Sequence, residues 1–524
     1  MNHLRRKHKP EEGGLKSMAT RELKIDSGML QFAPKGAFYE EANEQFNRVV
    51  QMWSGLFNYD RTLFCLITLL NGTGFSKGAM THMLLGNPPT ASNLPAVPGL
   101  SFDYENKVML YNLHKERIPR ALKNLLMLTG TEGFNRVNNS RTRKLILEFI
   151  FNRDVKELDG LAVNYKGKLK KLVRHALGKQ DVYKILNGIG RQPFMKWVGR
   201  YNEKALPVFF HLFDKEPIRD GLSTFYPKID QYWSLRAAAQ TGNVSDFRKY
   251  MKRMPQRTVM GFRNTYKVPI EMSEIFEESK TSDREKIQLE SAAKRSGAKT
   301  FKVNYKKQEL YDLWKAFYHK MMTGDSDNMD EIEEAIVEKS ENAKRVDIGD
   351  CVVVIDASRS MFGSDQRPLH PFLTSLCLVA SLDNVKDVVY VGGKVVQAPT
   401  KSKANVLFPH NATPLWKGLV DAVSTGVENI VVVSDGYENE IKGMFEHTYK
   451  HFKSEGLKFN LLHLNPVFAA DAKRGSARKL AADVEPMPLT DHKFFETEII
   501  FNRMIENREM VKTLLVQKFQ QLIG

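Results

Sequence analysis

Cys351-Val352-Val353-Val354-Ile355 runs directly into Asp356-Ala357-Ser358-Arg359-Ser360. Five apolar residues in succession fit a parallel strand covered on both faces. An acid and two hydroxyls follow where that strand must end. Sheets of this kind present their binding sites at the carboxyl ends of their strands. Asp-x-Ser-x-Ser offers one charged and two neutral oxygens from alternate positions of a tight loop, a donor set that suits a hard divalent cation. The same residues also suit a strand-end turn capping a helix, and the stretch alone does not separate the two.

Asn429-Ile430-Val431-Val432-Val433-Ser434 is a second apolar run, and it leads into Asp435-Gly436, again an acid at a strand end. Between the two, Asn411-Ala412-Thr413-Pro414 opens a predicted helix over Leu415 to Ser424 and sets a hydroxyl on a loop. In that chain order Asp356, Ser358, Ser360, Thr413 and Asp435 resemble the metal-ion-dependent adhesion site (MIDAS) of von Willebrand factor A (vWA) domains. The resemblance implies a divalent cation, Mg²⁺ or Mn²⁺, held by these five residues. It also implies an open position that takes a partner's carboxylate, with no hydrolysis. Two residues depart from the pattern: Ala412 stands where glycine usually precedes the threonine, and Arg359 sets a cation between the serines. Val388 to Val391 and Phe459 to Leu464 read as further strands, and Pro368 to Ala380, Tyr437 to Ser454 and Ser476 to Ala482 as helices between them. Alternation of that kind argues for a doubly wound, Rossmann-like α/β domain. We assign it to residues 346–524, with a C-terminal helical segment, Phe494 to Leu522, packing back onto a neighbour.

A chain of 524 residues exceeds what one core organises. No run approaches the ~18 apolar residues of a membrane span, so no membrane partner is expected. The basic start of the chain lacks the apolar stretch of a signal peptide. Cys65, Cys351 and Cys377 lie in apolar surroundings and read as buried thiols of a reducing compartment, so a cytoplasmic protein is expected. The net charge of +17 is unevenly placed: residues 345–524 carry 21 basic and 21 acidic groups, residues 310–344 a net −5, and residues 1–309 therefore +22. An anionic partner is to be sought in that first part.

The first part reads as all-α. Residues 1–20 form a flexible basic tail, 21–309 a basic helical-repeat domain of HEAT-like helix pairs, and 310–345 an acidic helical linker. Phe38 to Leu56, Arg141 to Phe151, Lys166 to Leu177 and Ser234 to Met254 are among its predicted helices, with a short strand at Phe301 to Val303 and an exposed polar connection over Glu277 to Thr300. Candidate RNA-binding cations are Arg141, Arg143, Lys144, Lys166, Lys168, Lys170, Lys171, Arg174, Lys179, Lys196 and Arg200, interleaved with Tyr165, Tyr183, Phe194, Trp197 and Tyr201. Cations neutralise phosphates and aromatic faces stack exposed bases. An acidic protein surface would account for the same charge.

A basic helical-repeat domain followed by a vWA-type domain resembles the TROVE-module Ro proteins. Val353 to Met361 and Ser434 to Glu438 look like the two metal motifs, and Arg141-Thr142-Arg143-Lys144-Leu145 loosely resembles the arginine-rich repeat helix. The resemblance implies helices that close into a ring. It further implies binding of misfolded or Y-like non-coding RNA as a ribonucleoprotein, and work with a 3′-exoribonuclease. The alternative is a vWA adaptor that assembles a protein complex, for example with an AAA+ ATPase. No enzyme is expected: Asn187-Gly188-Ile189-Gly190-Arg191 lacks the context of a phosphate loop, and His175, His211, His447 and His463 lack metal-ligand spacing.

Overall fold

The computed structural model describes residues 42–89, 98–189, 205–218, 220–299, 301–364, 367–412, 414–438, 440–467 and 478–523. Its organising element is a five-stranded, all-parallel sheet. The strands are β1 (Cys351–Asp356), β2 (Val385–Val391), β3 (Asn429–Val433), β4 (Asn460–Asn465) and β5 (Pro486–Pro488), in the order β2-β1-β3-β4-β5. All six residues of β1 are buried. Its alternate residues divide between two cores, as the period of two demands. Cys351, Val353 and Ile355 join Val431 and Val433 under one helical layer. Val352 and Val354 join Ile430 and Val432 under the helices Leu415–Ser424 and Met444–Ser454. A strand so enclosed can hold polar groups only at its ends.

The acidic helices before the sheet are part of this unit. Leu310–Thr323 and Met329–Glu341 bury Leu313, Phe317, Ile332 and Ala335 in the same core as β1. Tyr318 donates its hydroxyl hydrogen to the Leu407 carbonyl at 2.8 Å, fastening the first of them to the small hairpin Lys394–Gln397/Asn405–Phe408. Their exposed side includes Glu331, Glu334 and Glu338, which is where the negative charge goes.

The helical part is a succession of short helices packed on their chain neighbours. Its kinked helical run Val155–Leu177 is capped by the Asp154 carboxylate at the Glu157 amide and ends at Gly178. It packs against Ser140–Phe151, Leu206–Leu212 and Pro227–Thr241. The run is two helices that meet across a kink at Tyr165, whose φ and ψ are −128° and 24°, and the second starts at Lys166 as the sequence indicates. Three sequence readings change here. Ser234 to Met254 is two helices, broken at Gly242 and restarted by the Asn243 cap. Residues 283–295, expected as a polar connection, form a helix with a Ser282/Glu285 capping box; it buries only Ala293, so it carries no apolar stripe to read. Phe301 to Val303 lies outside any strand.

Helix Arg508–Ile523 does not cover the sheet. It buries Val511, Leu515 and Phe519 in the core of the helical part, against Arg61–Ile67 and Tyr104–Lys115. The last described helix thus returns to the first described ones, and Lys512 pairs with Asp60 at 2.7 Å. No described helix is long and apolar enough to cross a membrane. Truncating a buried phenylalanine removes its transfer energy and leaves a cavity. Phe519→Ala is expected to lower stability by about 3–5 kcal/mol in denaturant titration, while Leu522→Ala at the exposed end changes it by less than about 0.5 kcal/mol.

Candidate functional site: a strand-end oxygen cluster and two basic hollows

Strand order reverses beside β1: the chain leaves it for β2 on one side and crosses to β3 on the other. That crevice is where a doubly wound sheet binds its ligand, and Asp356 closes β1 while Asp435 lies just past β3. The Asp356 carboxylate accepts from the Ser358 amide at 2.8 Å and from the Ser434 hydroxyl at 2.7 Å. Asp356 and Ser358 are fully buried and Asp435 nearly so. The Ser358 and Ser360 hydroxyl oxygens lie 2.9 Å apart. A hydrogen bond between the two hydroxyls accounts for that spacing, which also equals the separation of about 3 Å between adjacent ligands on an octahedral ion with bonds of about 2.1 Å. Two carboxylates with hydroxyls are the hard-oxygen set Mg²⁺ takes. Among the described residues no group of three or more His, Cys, Asp or Glu that could hold a metal ion converges, at this cluster or elsewhere.

Local structure explains the cluster. The tight turn after Asp435 needs Gly436, at φ 79°, because a Cβ there would lie 2.7 Å from the Arg478 carbonyl oxygen. Asn411 supplies the left-handed turn of the facing loop at φ 64°, and its carbonyl accepts from the Arg359 amide. Arg359, which departs from the motif between the two serines, is exposed, whereas Asp356 and Ser358 are buried. Thr413 lies outside the described residues. Glu438 accepts from the Gly443 and Phe445 amides, so it caps the following helix, and burial raises its carboxyl pKa. Ser434, not singled out as a site residue, is the hydroxyl that grips Asp356; its place at the apolar run's end was the available signal.

The proposed RNA-binding cations separate into two groups. Arg141 is internal: it bonds Glu105 at 2.8 Å and Asn106, and Arg61 bonds the same carboxylate at 2.6 Å. Arg143 bonds Asn138, and Lys144 pairs with Glu148 one turn on. Lys166 and Lys170 converge on Asp214. Burial alone would raise the Asp214 carboxyl pKa, but the two ammonium donors outweigh it and hold the group at about 2. Lys168, Lys171 and Arg174 are exposed on the helix after the kink, and Lys179 is exposed at the start of the next. Lys196 and Arg200 lie outside the described residues, as do Phe194, Trp197 and Tyr201. His175 and His463 bond backbone carbonyls in the core, and burial holds His211 at about 3 and His463 at about 4. All three cysteines are buried free thiols.

Between the helical part and the sheet unit opens a cleft of about 1010 Å³ lined by Lys77, Arg117, Arg120, Lys344 and Lys493, among others. Glu309 bridges it, bonded to Arg117 at 3.1 Å and to Lys493. Lys77 is half-buried in the cleft wall. Its loss of hydration, assisted by Lys518 and opposed by Glu116, brings the ammonium pKa to about 8. A second hollow, of about 670 Å³, lies at the Tyr165 kink. A scan against protein-family models gives no match, and neither does a search of curated proteins.

If the strand-end cluster binds a cation, Mg²⁺ raises the melting temperature of the wild-type protein and leaves that of Asp356→Asn unmoved. Equal shifts in both would remove the assignment. At Lys77 the folded state loses its proton near pH 8 and an unfolded lysine near ~10.4. The unfolded chain therefore holds more protons across that interval, and this group's contribution to stability rises with pH between the two values. Acylation at pH 8 with a small reagent, followed by mass spectrometry, is expected to label Lys77 ahead of exposed lysines.

Proposed function

We propose that the protein binds RNA through the basic face of its helical part, as a Ro-like ribonucleoprotein component. The observation carrying this reading is the separation of charge: +22 over residues 1–309 and none over 345–524. Lys168, Lys171, Arg174 and Lys179 give that charge an exposed stripe. A polyanion rewards such a stripe by counterion release. The basic cleft between the two parts is where the Ro resemblance would set a strand end, with Lys77 and Arg120 facing the phosphates.

On the same reading the strand-end cluster is a vWA-type site. Asp356, Ser358, Ser360 and Asp435 would hold Mg²⁺, which when bound supplies a positive centre for a partner's carboxylate. The chain's own residues order that site: the Ser434 hydroxyl and the Ser358 amide fix the Asp356 carboxylate. Metal and RNA therefore belong to different parts of the molecule, and the function is binding, with no hydrolytic step.

Purified protein is expected to carry ribonuclease-sensitive nucleic acid, identified by sequencing. Clean protein with no RNA affinity at moderate salt overturns the reading and favours a protein adaptor. Lys168→Glu, Lys171→Glu and Arg174→Glu combined should lower the slope of log K against log salt by about 2, since each lost phosphate contact removes about 0.7 to 0.9. Affinity should fall on every RNA sequence alike.

A further inference from the structure

The hollow at the kink of Val155–Leu177 combines groups that a solvated helix face does not bring together. Tyr165, at the kink, and Lys168 come from this helix, Tyr232 from Pro227–Thr241, and Arg257 and Phe262 from Gln256–Tyr266. Tyr232 and Phe262 have ring centroids 5.1 Å apart at 59°, so their faces are not closed against each other in a parallel stack. Lys166 lies 4.6 Å over the Tyr232 ring and 3.2 Å from its hydroxyl, which fixes that ring in place. Tyr165 and Phe262 are only partly buried, although both are large aromatics.

The cations here have different freedom. Lys166 is tied to Asp214 at 2.7 Å. Lys168 is exposed and has no ion pair or hydrogen bond among the described residues. Arg257 is 87% exposed and pairs only loosely with Glu285, at 3.5 Å, an arrangement solvent screens. Glu285 on the rim argues against a site for a bare anion. Its carboxylate is engaged by the Ser282 cap and by Arg257, so the hollow suits a ligand with an apolar plane and a phosphate within reach of the two exposed cations.

We propose that this hollow receives a single unpaired nucleobase of a bound RNA strand, stacked against Tyr165 and Phe262, with the flanking phosphates on Lys168 and Arg257. The inference rests on the RNA-binding reading and deepens it. A paired base is enclosed in its helix and cannot offer its face to a side pocket, so the site selects single-stranded segments over duplex. Every base has a π-face, so the stack itself is tolerant of sequence.

The test uses the full chain and one pyrimidine-rich oligoribonucleotide carrying a single 2-aminopurine, offered as a single strand and as a blunt duplex. The wild type is expected to bind the single strand more tightly and to quench the 2-aminopurine. Tyr165→Ala with Phe262→Ala should weaken single-strand binding about tenfold or more and abolish quenching, with duplex affinity unchanged. Those truncations also touch the core, so a second variant guards the result. Gly261 lines the hollow, and a Cβ built on it meets nothing within 4 Å. Gly261→Leu should plug the hollow, keep the melting temperature and give the same loss. Wild-type affinity and quenching in both variants would overturn the pocket while leaving RNA binding standing. Failure of the wild type to bind either RNA form would overturn the RNA reading, and the pocket with it.

Discussion

Enclosure of β1 is the constraint on which the sheet unit depends. Neighbours pair with it on both edges, and apolar layers cover both faces. Ladders on both edges take up its backbone groups, with an irregularity between Cys351 and Val352, and a polar side chain before its last residue would be buried without a partner. The chain reverses its strand order beside β1, so the crevice at that point opens above Asp356. The Ser434 hydroxyl arrives from β3 because Ile355 lies opposite Val433, which sets the next residues of the two strands side by side. The oxygen cluster is thus a consequence of register.

The helical part follows another logic. Its helices are short, and many are individually too short to persist in water, so packing on neighbours sustains them. The chain joins its two parts through polar contacts around Glu309 and through the final helix, which enters the core of the first described helices. The cleft between them is lined from both sides by an excess of basic residues, with Glu116, Glu309, Asp312, Asp491 and Glu496 among them. Desolvation there acts on Lys77, whose ammonium is disfavoured by the protein around it and by Lys518. Glu116 restores only part of what is lost.

Which cations reach solvent was not legible in the sequence. Arg141 looked like part of a basic run, yet its partner Glu105 is 36 residues earlier. Lys166 and Lys170 find Asp214, 44 residues beyond Lys170. Ion pairing across such separations depends on the packing of different helices, and no local pattern reports it. The helix over 283–295 escaped notice because amphipathic periodicity is absent where little is buried. The hollow at Tyr165 escaped notice because its walls come from three helices, and the kink that opens it interrupts an otherwise regular run.

The sequence by itself determined the parallel sheet's central strands, their acidic ends and the division of charge between the two parts. Those properties are local or additive: five apolar residues need cover on both faces, and net charge is a sum over residues. Tertiary structure decided that the acidic helices cover the sheet, that the last helix serves the other part, and that Lys168, Lys171, Arg174 and Lys179 face outward while Arg141 faces inward. Exposure and pairing belong to the packed chain, since each depends on which remote residue occupies the neighbouring volume.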